Sequence, residues 1–464
     1  MIAMSLLEVV RSIGTEVIGS VGLGQQSTRV TGEVVTDSRR VRAGDLFIAL
    51  QGERTDGHDH AQAALDAGAV AVVAERPVVE RALVVPDTLA ALQSLAKAVF
   101  TRDQPLTFGI TGSSGKTSTK DLMGQVLQRY GETLVPEGSF NNEIGLPLTL
   151  LRRTEDTSFA VLEYSARGTG HIAFLCGMAR PDVAIVLNVG SAHVGEFGSM
   201  SATAQAKGEL VEAAGRHVVL NADDPLVAEM AARTRRPVTT FGLEGGQVRA
   251  GDIRLDEHGR ASFELRCPQG SALVRLRAVG AHQVPNALAA AAGILAAGVT
   301  EDVARLAVEL SEARPLSRWR MEVTERDDGV TVVNDAYNAN PESMRAALCT
   351  LAALGAEGKR RTWAVLGPMA ELGDTAMEAH RQIGRLVAEL GIDRLVVVGA
   401  EAAEIHVGAA LHGFPAAHGI QVADREAATR HLHTGLAPGD VVLVKASRSA
   451  GLERVAAAVL EEAA

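Results

Sequence analysis

A glycine-rich segment between a buried strand and a long helix carries the strongest chemical pattern in this sequence. Residues 109–118 read GITGSSGKTS, and the apolar stretch Leu106–Ile110 leads into them. Backbone N–H groups of such a loop wrap an anion, Lys116 reaches the outer phosphates, and the hydroxyl of Thr117 holds Mg²⁺ at a helix N-terminus. The pattern predicts a nucleoside-triphosphate site formed by Gly112, Ser113, Ser114, Gly115, Lys116, Thr117 and Ser118.

The loop departs from the usual form of this motif. Counting back from Lys116, glycines at 115 and 112 give G-x-x-G-K-T, which is shorter than the eight-residue form. A glycine-rich strand-to-helix turn without a ligand is the alternative interpretation. The order strand, loop and helix favours the phosphate site, because that site requires this context.

Three side chains downstream of the loop bear on divalent-ion binding. Glu163 follows the predicted strand Phe159–Leu162, and His193 lies in the loop after the next strand. Because ligands bind at the carboxyl ends of strands in open α/β sheets, both side chains and Thr117 are candidate Mg²⁺ ligands. Alone, His193 would more often be a surface or capping residue. Lys207 falls in a helical pattern, where spacing alone predicts a solvated lysine.

Composition and charge exclude several classes of protein. The 464 residues carry 45 Lys+Arg and 56 Asp+Glu, a net charge of −11, so the chain lacks the basic footprint of a general nucleic-acid binder. Cys176, Cys267 and Cys349 form neither a disulfide framework nor a CxxC metal pattern. The longest apolar run, residues 287–299, is shorter than the roughly 20 residues of a bilayer span. We therefore expect a soluble cytoplasmic protein with no nucleic-acid partner and no membrane insertion.

Shifts in composition divide the chain into three predicted domains. Residues 1–104 mix short strands with alanine-rich helices, which predicts a small α/β domain. Residues 105–314 contain the glycine-rich phosphate-binding loop, called the P-loop below, and β-branched runs that alternate with helices. This alternation is typical of a mostly parallel sheet. Within them, residues 247–279 suit a small antiparallel insertion. Strand candidates with intervening helices over residues 315–464 predict a C-terminal Rossmann-like open sheet, so the fold class is α/β in three domains.

Several motifs together resemble the Mur ligases of peptidoglycan synthesis. They are TGSSGKT at residues 111–117, SFNNEIG at 139–145, QAKGE at 205–209 and NDAYNANP at 334–341. The segments LGPMAELG at 366–373 and LVKASR at 443–448 fit the same family. These matches run in order through all three predicted domains. The resemblance therefore covers essentially the whole chain and is much more specific than the P-loop alone.

The resemblance implies a reaction and a division of labour among the domains. The first domain would bind the UDP end of the substrate, the central domain ATP, and the last domain an incoming dipeptide. Within the family, residues 334–341 favour the branch that adds D-alanyl-D-alanine to UDP-N-acetylmuramoyl-tripeptide. The implied reaction uses ATP and two Mg²⁺ ions, proceeds through an acyl phosphate, and releases ADP and phosphate. Its product would be the complete cytoplasmic peptidoglycan precursor, and we expect a monomeric enzyme.

The resemblance also implies roles for individual residues. Lys207 would be carbamylated, which turns a cation into an anion that can face Mg²⁺, and Glu163 and His193 would bind a second ion. The implied nucleotide contacts are Asn286, Asp335 and Arg318. The implied substrate contacts are Ser38, Arg39, Asn141, Asn142, Tyr337, Asn338, Asn340, Lys445 and Arg448.

Two departures from the family pattern affect these assignments. Gln283 stands where the family usually has asparagine, which keeps the amide but lengthens the side chain. Leu316 and Ser317 precede Arg318 where the family usually has Pro-Gly. Either Arg318 or Arg320 is therefore the phosphate contact from the third domain.

Other interpretations of the same residues stay open. Loop capping is the alternative for the asparagines, a solvated loop for Lys445 and Arg448, and a plain surface position for Ser38 and Arg39. For function, the alternatives are a sister ligase that adds an amino acid, a nucleotide-driven switch, and a kinase that releases a phosphorylated product. The spread of motifs over separate domains predicts domain closure during catalysis.

Overall fold

The structure of the protein is a computed structural model that describes residues 2–14, 27–52, 55–190, 198–358 and 360–461. His193, which the sequence suggests as a metal ligand, lies outside these described residues. Within them, no helix combines the length and hydropathy that a bilayer span requires.

The N-terminal part of the chain contains a small parallel sheet and a separate pair of strands. Its strands are β1 (Met4–Ser5), β2 (Arg29–Val30), β3 (Val34–Val35), β4 (Leu46–Ile48), β5 (Ala71–Ala74) and β6 (Ala82–Val84), and its helices are α1 (Leu6–Ile13), α2 (Ala61–Asp66) and α3 (Thr88–Thr101). The parallel sheet has the order β3-β4-β5-β6, while β1 and β2 form a separate antiparallel pair. Asp87 caps α3 by accepting a hydrogen bond from the Ala90 N–H at 2.9 Å.

The central part forms the largest sheet. Its strands are β7 (Leu106–Thr111), β8 (Glu132–Leu134), β9 (Thr157–Glu163), β10 (Val183–Val186), β11 (His217–Asn221), β12 (Val238–Gly242), β13 (Val248–Leu255), β14 (Arg260–Cys267) and β15 (Gly270–Val279). Its helices are α4 (Lys116–Leu127), α5 (Gly145–Leu151), α6 (His171–Cys176), α7 (Met200–Ala213), α8 (Pro225–Ala228), α9 (Gln283–Ala296) and α10 (Val303–Glu312). The order is β15-β14-β13-β12-β11-β10-β7-β9-β8, parallel from β8 to β13 and antiparallel at the β13–β15 end. The predicted antiparallel insertion is therefore a continuation of the central sheet.

Both faces of the central sheet are covered, which explains why its strands are apolar throughout. Along β10, Ala184 and Val186 belong to one core and Val183 and Ile185 to the other, because successive side chains point to opposite faces. The alanine-rich α9 packs closely on the second face: a Cβ at Gly293 would lie 2.6 Å from the Met123 Cε atom. Small side chains along α9 are thus required by the short distance to the sheet and to α4.

The C-terminal part forms a second open sheet. Its strands are β16 (Glu322–Glu325), β17 (Thr331–Asn334), β18 (Thr362–Leu366), β19 (Arg394–Val398), β20 (Gly419–Val422) and β21 (Val441–Lys445), and its helices are α11 (Pro341–Gly358), α12 (Ala376–Glu389), α13 (Ala403–Leu411), α14 (Arg425–Gly435) and α15 (Glu453–Leu460). The order is β16-β17-β21-β18-β19-β20, parallel except for β16. These sheets confirm the predicted α/β class, and the domain boundaries at 104/105 and 314/315 stay predictions.

The carboxyl edges of the second and third sheets open toward one cavity. On the central side, β7 runs into the P-loop and β9 ends at Glu163; on the other, β17 runs into Asp335 and β21 ends at Lys445. Glu163, Asp335 and Lys445 all line that cavity. The open α/β topology thus places polar side chains from distant parts of the sequence at one site.

Candidate active site

A cavity of about 490 Å³ lies between the central and third domains. Most residues predicted to contact nucleotide, metal or substrate line it: Ser113, Ser114, Gly115, Lys116, Thr117, Ser118, Asn141, Asn142, Glu163, Asn286, Asp335, Tyr337, Asn338, Asn340 and Lys445. The backbone of both sheets thus brings the predicted ATP and dipeptide residues to the same space.

Residues outside the motif hold the P-loop in shape. Gly115 adopts φ +83°, and a Cβ there would lie 2.4 Å from Asn286 Oδ1, so the turn requires glycine. The Asn188 side chain accepts a hydrogen bond from the Ser114 N–H at 2.9 Å and donates to the Ser114 carbonyl at 3.2 Å. The sequence alone assigns no role to Asn188, because its hydrogen bonds to Ser114 depend on the adjacency of β7 and β10.

Lys116 faces the cavity with an unusual electrostatic environment. Its Nζ donates to the Gly112 carbonyl at 2.6 Å, within its own loop. Burial lowers the pKa of Lys116 to about 8, while the Glu163 carboxylate opposes that shift and Arg320 adds to it. A cation that is held by a backbone carbonyl and desolvated is suited to bind a phosphate, which would replace that weak contact.

Glu163 is the carboxylate in the cavity that fits a divalent cation. It is fully buried, and its Oε2 accepts a hydrogen bond from Asn141 Nδ2 at 3.2 Å. Its Oε1 has no hydrogen-bond partner among the residues that the structure describes, although an unpaired buried carboxylate oxygen is costly. Nowhere in the described ranges do three or more His, Cys, Asp or Glu side chains form a metal-binding group. Because Mg²⁺ commonly takes one or two protein ligands plus phosphates, Glu163 and Thr117 fit that ion.

Lys207 is buried, so the expectation of a solvated lysine from spacing alone is wrong. Only 3% of it is exposed, and it does not line the cavity directly. Burial, with the nearby positive charge of Lys116, lowers the pKa of Lys207 well below its ordinary value. The helix α7 packs on the sheet through the face that carries Lys207. A solvated lysine would require that face to be exposed.

The wall contributed by the third domain consists of charged groups that pair with each other. Lys445 is buried; its Nζ donates to Asp335 Oδ2 and, at 2.9 Å, to the Asn338 carbonyl. Asp335 Oδ1 accepts from the Met321 N–H at 3.0 Å. A solvated loop is therefore the wrong alternative for Lys445. Asn340 caps α11, since its Oδ1 accepts from the Ser343 N–H at 2.8 Å.

The two amides at the SFNNEIG motif have different tasks. Asn142 Oδ1 accepts from the Gly145 N–H at 2.8 Å and therefore stabilises the first turn of α5, whose N-cap residue is Ile144. Asn141 donates to Glu163 instead, so it orients the carboxylate. Both side chains line the cavity, and their capping and positioning contacts leave room for a ligand beside them.

Some predicted residues are not brought into the cavity. Arg39 is on a 3₁₀ turn that begins at Ser38, and its side chain is 87% exposed and paired with Asp37. Arg448 stacks on the Trp319 ring and pairs with Glu453 at 2.9 Å. Gly112 contributes its carbonyl to Lys116 without lining the cavity, and Arg318 lines a neighbouring groove.

Three further lining residues are Arg320, one of the two candidate phosphate contacts, Gln283, which had no assigned role, and His282, which the sequence did not single out. Arg320 lines the cavity, lies 4.2 Å over the Tyr337 ring and donates to Ser139. Gln283 accepts from Asn286 Nδ2 at 3.0 Å, so the unusual glutamine orients the asparagine beside it. His282 is half-buried, and desolvation lowers its pKa to about 4, so the ring is neutral at pH 7. The sequence signal that could have pointed to His282 is its place directly before Gln283, the residue that departs from the family pattern.

Family models match most of this chain. Residues 32–101 match the catalytic domain of the Mur ligase family, residues 110–294 the Mur ligase middle domain, and residues 319–448 the Mur ligase glutamate ligase domain. The chain belongs to the Mur ligase family.

Individual relatives and solved structures of similar length show which members of that family the chain resembles. The chain is 47% identical over 504 aligned residues to the UDP-N-acetylmuramoyl-tripeptide–D-alanyl-D-alanine ligase of Mycobacterium tuberculosis, covering 100% of this chain and 98% of the relative. It superposes on MurF from Acinetobacter baumannii with a TM-score of 0.85, 32% identity and 99% coverage of both chains. For the MurF ligase of Thermotoga maritima in complex with ADP, the TM-score is 0.80 at 32% identity, with coverage of 93% and 98%. These neighbours confirm the three-domain α/β architecture.

Proposed function

We propose that this chain is an ATP-dependent ligase that joins D-alanyl-D-alanine to UDP-N-acetylmuramoyl-tripeptide and releases ADP and phosphate. The observation that carries the proposal is the shared cavity, which the phosphate-binding loop and the NDAYNANP loop both line. A ligase needs this arrangement, because the activated carboxylate and the incoming amine must meet in one site. The name of the Mycobacterium relative and the ADP in the Thermotoga neighbour support these substrates.

The cavity supplies the groups that activation of a carboxylate needs. A carboxylate resists attack by an amine, because its carbonyl is electron-rich and oxide is a poor leaving group. Transfer of the γ-phosphoryl group gives an acyl phosphate, from which the amine displaces phosphate through a tetrahedral intermediate. Lys116 and the N–H groups at the start of α4 would stabilise charge on the transferring group. Asn286, held by Gln283, and Asp335 would contact the nucleotide.

Thr117 would hold one Mg²⁺, and Glu163 and His193 would hold a second. Mg²⁺ supplies the positive charge that lets an anionic carboxylate approach an anionic triphosphate. The fully buried Glu163 carboxylate with its unpartnered Oε1 supports this assignment. Asn141 would keep that carboxylate in place.

The environment of Lys207 supports a carbamate. Burial and Lys116 both favour the neutral amine, which is the form that attacks carbon dioxide. The amine nitrogen forms a bond to the carbon, loses a proton, and becomes part of an anionic carbamate. That anion would attract the Lys116 ammonium and bound Mg²⁺, whereas an unmodified ammonium at the same place would repel both.

Arg320, rather than Arg318, is the proposed phosphate contact from the third domain. It lines the cavity and contributes to the electrostatic environment of Lys116. Tyr337, Asn338 and Asn340 would form the dipeptide site, with Lys445 and Arg448 near the dipeptide carboxylate. Ser38, Arg39 and the Asn141–Asn142 pair would bind the UDP-sugar substrate after domain closure. We further propose that the enzyme is a monomer and acts on cytoplasmic substrates.

The test is phosphate release from ATP and Mg²⁺ with each substrate present or left out. We expect release only when UDP-N-acetylmuramoyl-tripeptide and D-alanyl-D-alanine are both present, with a product heavier by the dipeptide residue mass. The unmutated chain is compared with Lys116→Ala, which should form product about 10⁴-fold more slowly. Dependence on another amine would indicate a sister ligase, and release without either substrate would indicate a nucleotide-driven switch.

A further inference from the structure

One hydroxyl group connects the two walls of the cavity. Ser139 Oγ lies 2.9 Å from Thr117 Oγ1 and accepts a hydrogen bond of 2.9 Å from Arg320 Nη2. Thr117 lies in the first turn of the P-loop helix α4, whereas Arg320 lies in the segment that enters the third sheet. We infer that Ser139 is a positioning residue that aligns the Thr117 hydroxyl for the nucleotide only when Arg320 is docked; this inference rests on the proposed function.

The loop that carries Ser139 is fixed from the P-loop side. Lys120, one turn after Lys116 on α4, is buried, and its Nζ donates to the carbonyls of Pro136 at 3.2 Å and Gly138 at 3.1 Å. Its charge is balanced by Asp121 at 2.7 Å. A buried ammonium that is used to hold two carbonyls keeps the next residue, Ser139, at a set distance from α4.

Arg320 is fixed from the side of the third domain. Its neighbours Trp319 and Met321 have φ angles of 60° and 51°, a backbone region that is unfavourable for bulky side chains. Both are held there by hydrogen bonds: the Trp319 carbonyl accepts from Tyr337 N–H at 3.1 Å, and Met321 N–H donates to Asp335 at 3.0 Å. Such strain persists only where the surroundings impose it, and it is concentrated at functional sites.

The arrangement of donors gives Ser139 a definite task. A hydroxyl oxygen has one proton and two lone pairs, and Arg320 occupies one lone pair of Ser139 Oγ. The other lone pair can accept the proton of Thr117, which leaves the Thr117 oxygen free to act as an acceptor-only ligand toward a cation. Among the described residues, Ser139 Oγ hydrogen-bonds to Thr117 and Arg320, so without Arg320 its side chain can rotate away from Thr117. Docking of the third domain thereby reaches the Thr117 hydroxyl through Ser139.

The first experiment measures nucleotide binding by the full chain and needs no ligation. Calorimetry gives the dissociation constant of ADP with Mg²⁺ and again with EDTA, for Ser139→Ala and for Ser139→Thr, which keeps the hydroxyl. We expect Ser139→Ala to weaken binding about tenfold in Mg²⁺ but less than about twofold in EDTA, and Ser139→Thr to restore it. Ser158→Ala is the matched control, since that exposed hydroxyl donates to the Asp156 carbonyl on the surface of β9. Unchanged Mg²⁺-dependent affinity in Ser139→Ala would overturn the inference.

The second experiment is a double-mutant cycle on the ligation rate. Ser139→Ala should lower kcat about tenfold with little change in KM for the dipeptide, but only about twofold in an Arg320→Ala background, because the link is already broken there. An equal loss in both backgrounds would also overturn the inference. An unmutated chain that ligates no substrate pair would refute the proposed function instead, and the calorimetry would still decide the role of Ser139.

Discussion

The two walls of the cavity are built in opposite ways. On the P-loop wall, Lys116 is held by a carbonyl of its own loop, and Glu163 keeps one oxygen without a partner in the described part of the chain. On the wall from the third domain, Lys445 and Asp335 neutralise each other. The first wall therefore has electrostatic capacity that a ligand can satisfy, whereas the Lys445–Asp335 pair of the second wall is satisfied within the protein. This difference teaches that the P-loop wall binds charge through several groups, and that the opposite wall offers a ligand the charge of Arg320 rather than that of its ion pair.

The largest expected effect comes from removing the cation of the P-loop wall. Lys116→Ala should reduce ligation about 10⁴-fold, because charge on the transferring phosphoryl group loses its nearest protein cation. The steady-state rate of ADP formation measures this loss. The circular dichroism spectrum should stay that of the unmutated chain, since the Lys116 hydrogen bond in the described part of the chain runs to a carbonyl of its own loop. Retained activity would mean that the P-loop wall does not take part in catalysis.

The next effect concerns the buried lysine behind that wall. Lys207→Ala should lower ligation about 10³-fold, because the anion that balances Lys116 and Mg²⁺ is lost. Short-chain carboxylic acids should restore part of the rate by occupying the space of the carbamate. Lys97→Ala, which removes an exposed helical lysine, serves as the control and should have no effect. Full activity of Lys207→Ala would end the carbamate proposal.

The sequence predicted the P-loop wall better than the wall from the third domain. Residues 112–118 are contiguous, so their motif and its strand–loop–helix context are sufficient to locate the phosphate site. The fold class followed in the same way from local alternation of strands and helices. The clamp of Asn188 on Ser114 spans 74 positions, and the pairing of Lys445 with Asp335 spans 110.

Contacts over such distances depend on strand order and packing, which spacing in the sequence does not contain. Burial of Lys207 was missed for the same reason: its helix exposes one face and packs another, and the pattern alone favoured the exposed one. The choice between Arg318 and Arg320 likewise depends on the unusual backbone of the linker. Function could be predicted from motifs, whereas the support of each functional group required the structure.

A pair of arginine substitutions sharpens the comparison of the walls. Arg320→Ala should reduce kcat about 10²-fold, as expected for one charged donor to the reacting group. Arg318→Ala should change it less than about twofold, because that exposed side chain lines a neighbouring groove and not the cavity. Rates for the two variants under saturating substrates give the answer. A larger loss for Arg318 would reassign the phosphate contact.

The pairing within the third domain should matter for stability. Asp335→Asn keeps the shape but leaves the buried Lys445 without its counter-charge, which should cost about 3 kcal/mol of unfolding free energy. Urea unfolding followed by tryptophan fluorescence reports on this region, since both tryptophans, Trp319 and Trp363, lie within residues 315–464. The control is Glu389→Gln, which breaks an exposed pair with Arg385 and should cost less than about 1 kcal/mol. Equal costs would mean that the third-domain wall is not held by its ion pair.

The smallest expected effect is a pH dependence that is specific to the P-loop wall. Burial lowers the pKa of Lys116 from the ordinary 10.5 to about 8. Above pH 8 the free protein loses this proton, so binding of an anionic nucleotide must take it up again, and affinity should fall by up to about tenfold per pH unit. Lys116→Arg keeps its charge at all these pH values and should flatten the profile.

Stability should respond to the same proton with the opposite sign. Between pH 8 and 10.5 the unfolded chain holds a proton on Lys116 that the folded chain lacks, so this group makes the unfolding free energy rise with pH. Below pH 8 both states are protonated, and the cost of burying the charge is fully present. Calorimetric ADP affinity and urea unfolding, measured from pH 7 to 10 in the unmutated chain and in Lys116→Arg, separate the two slopes. Parallel profiles for lysine and arginine would mean that Lys116 is not the titrating group, and the P-loop wall would then lose its distinguishing charge.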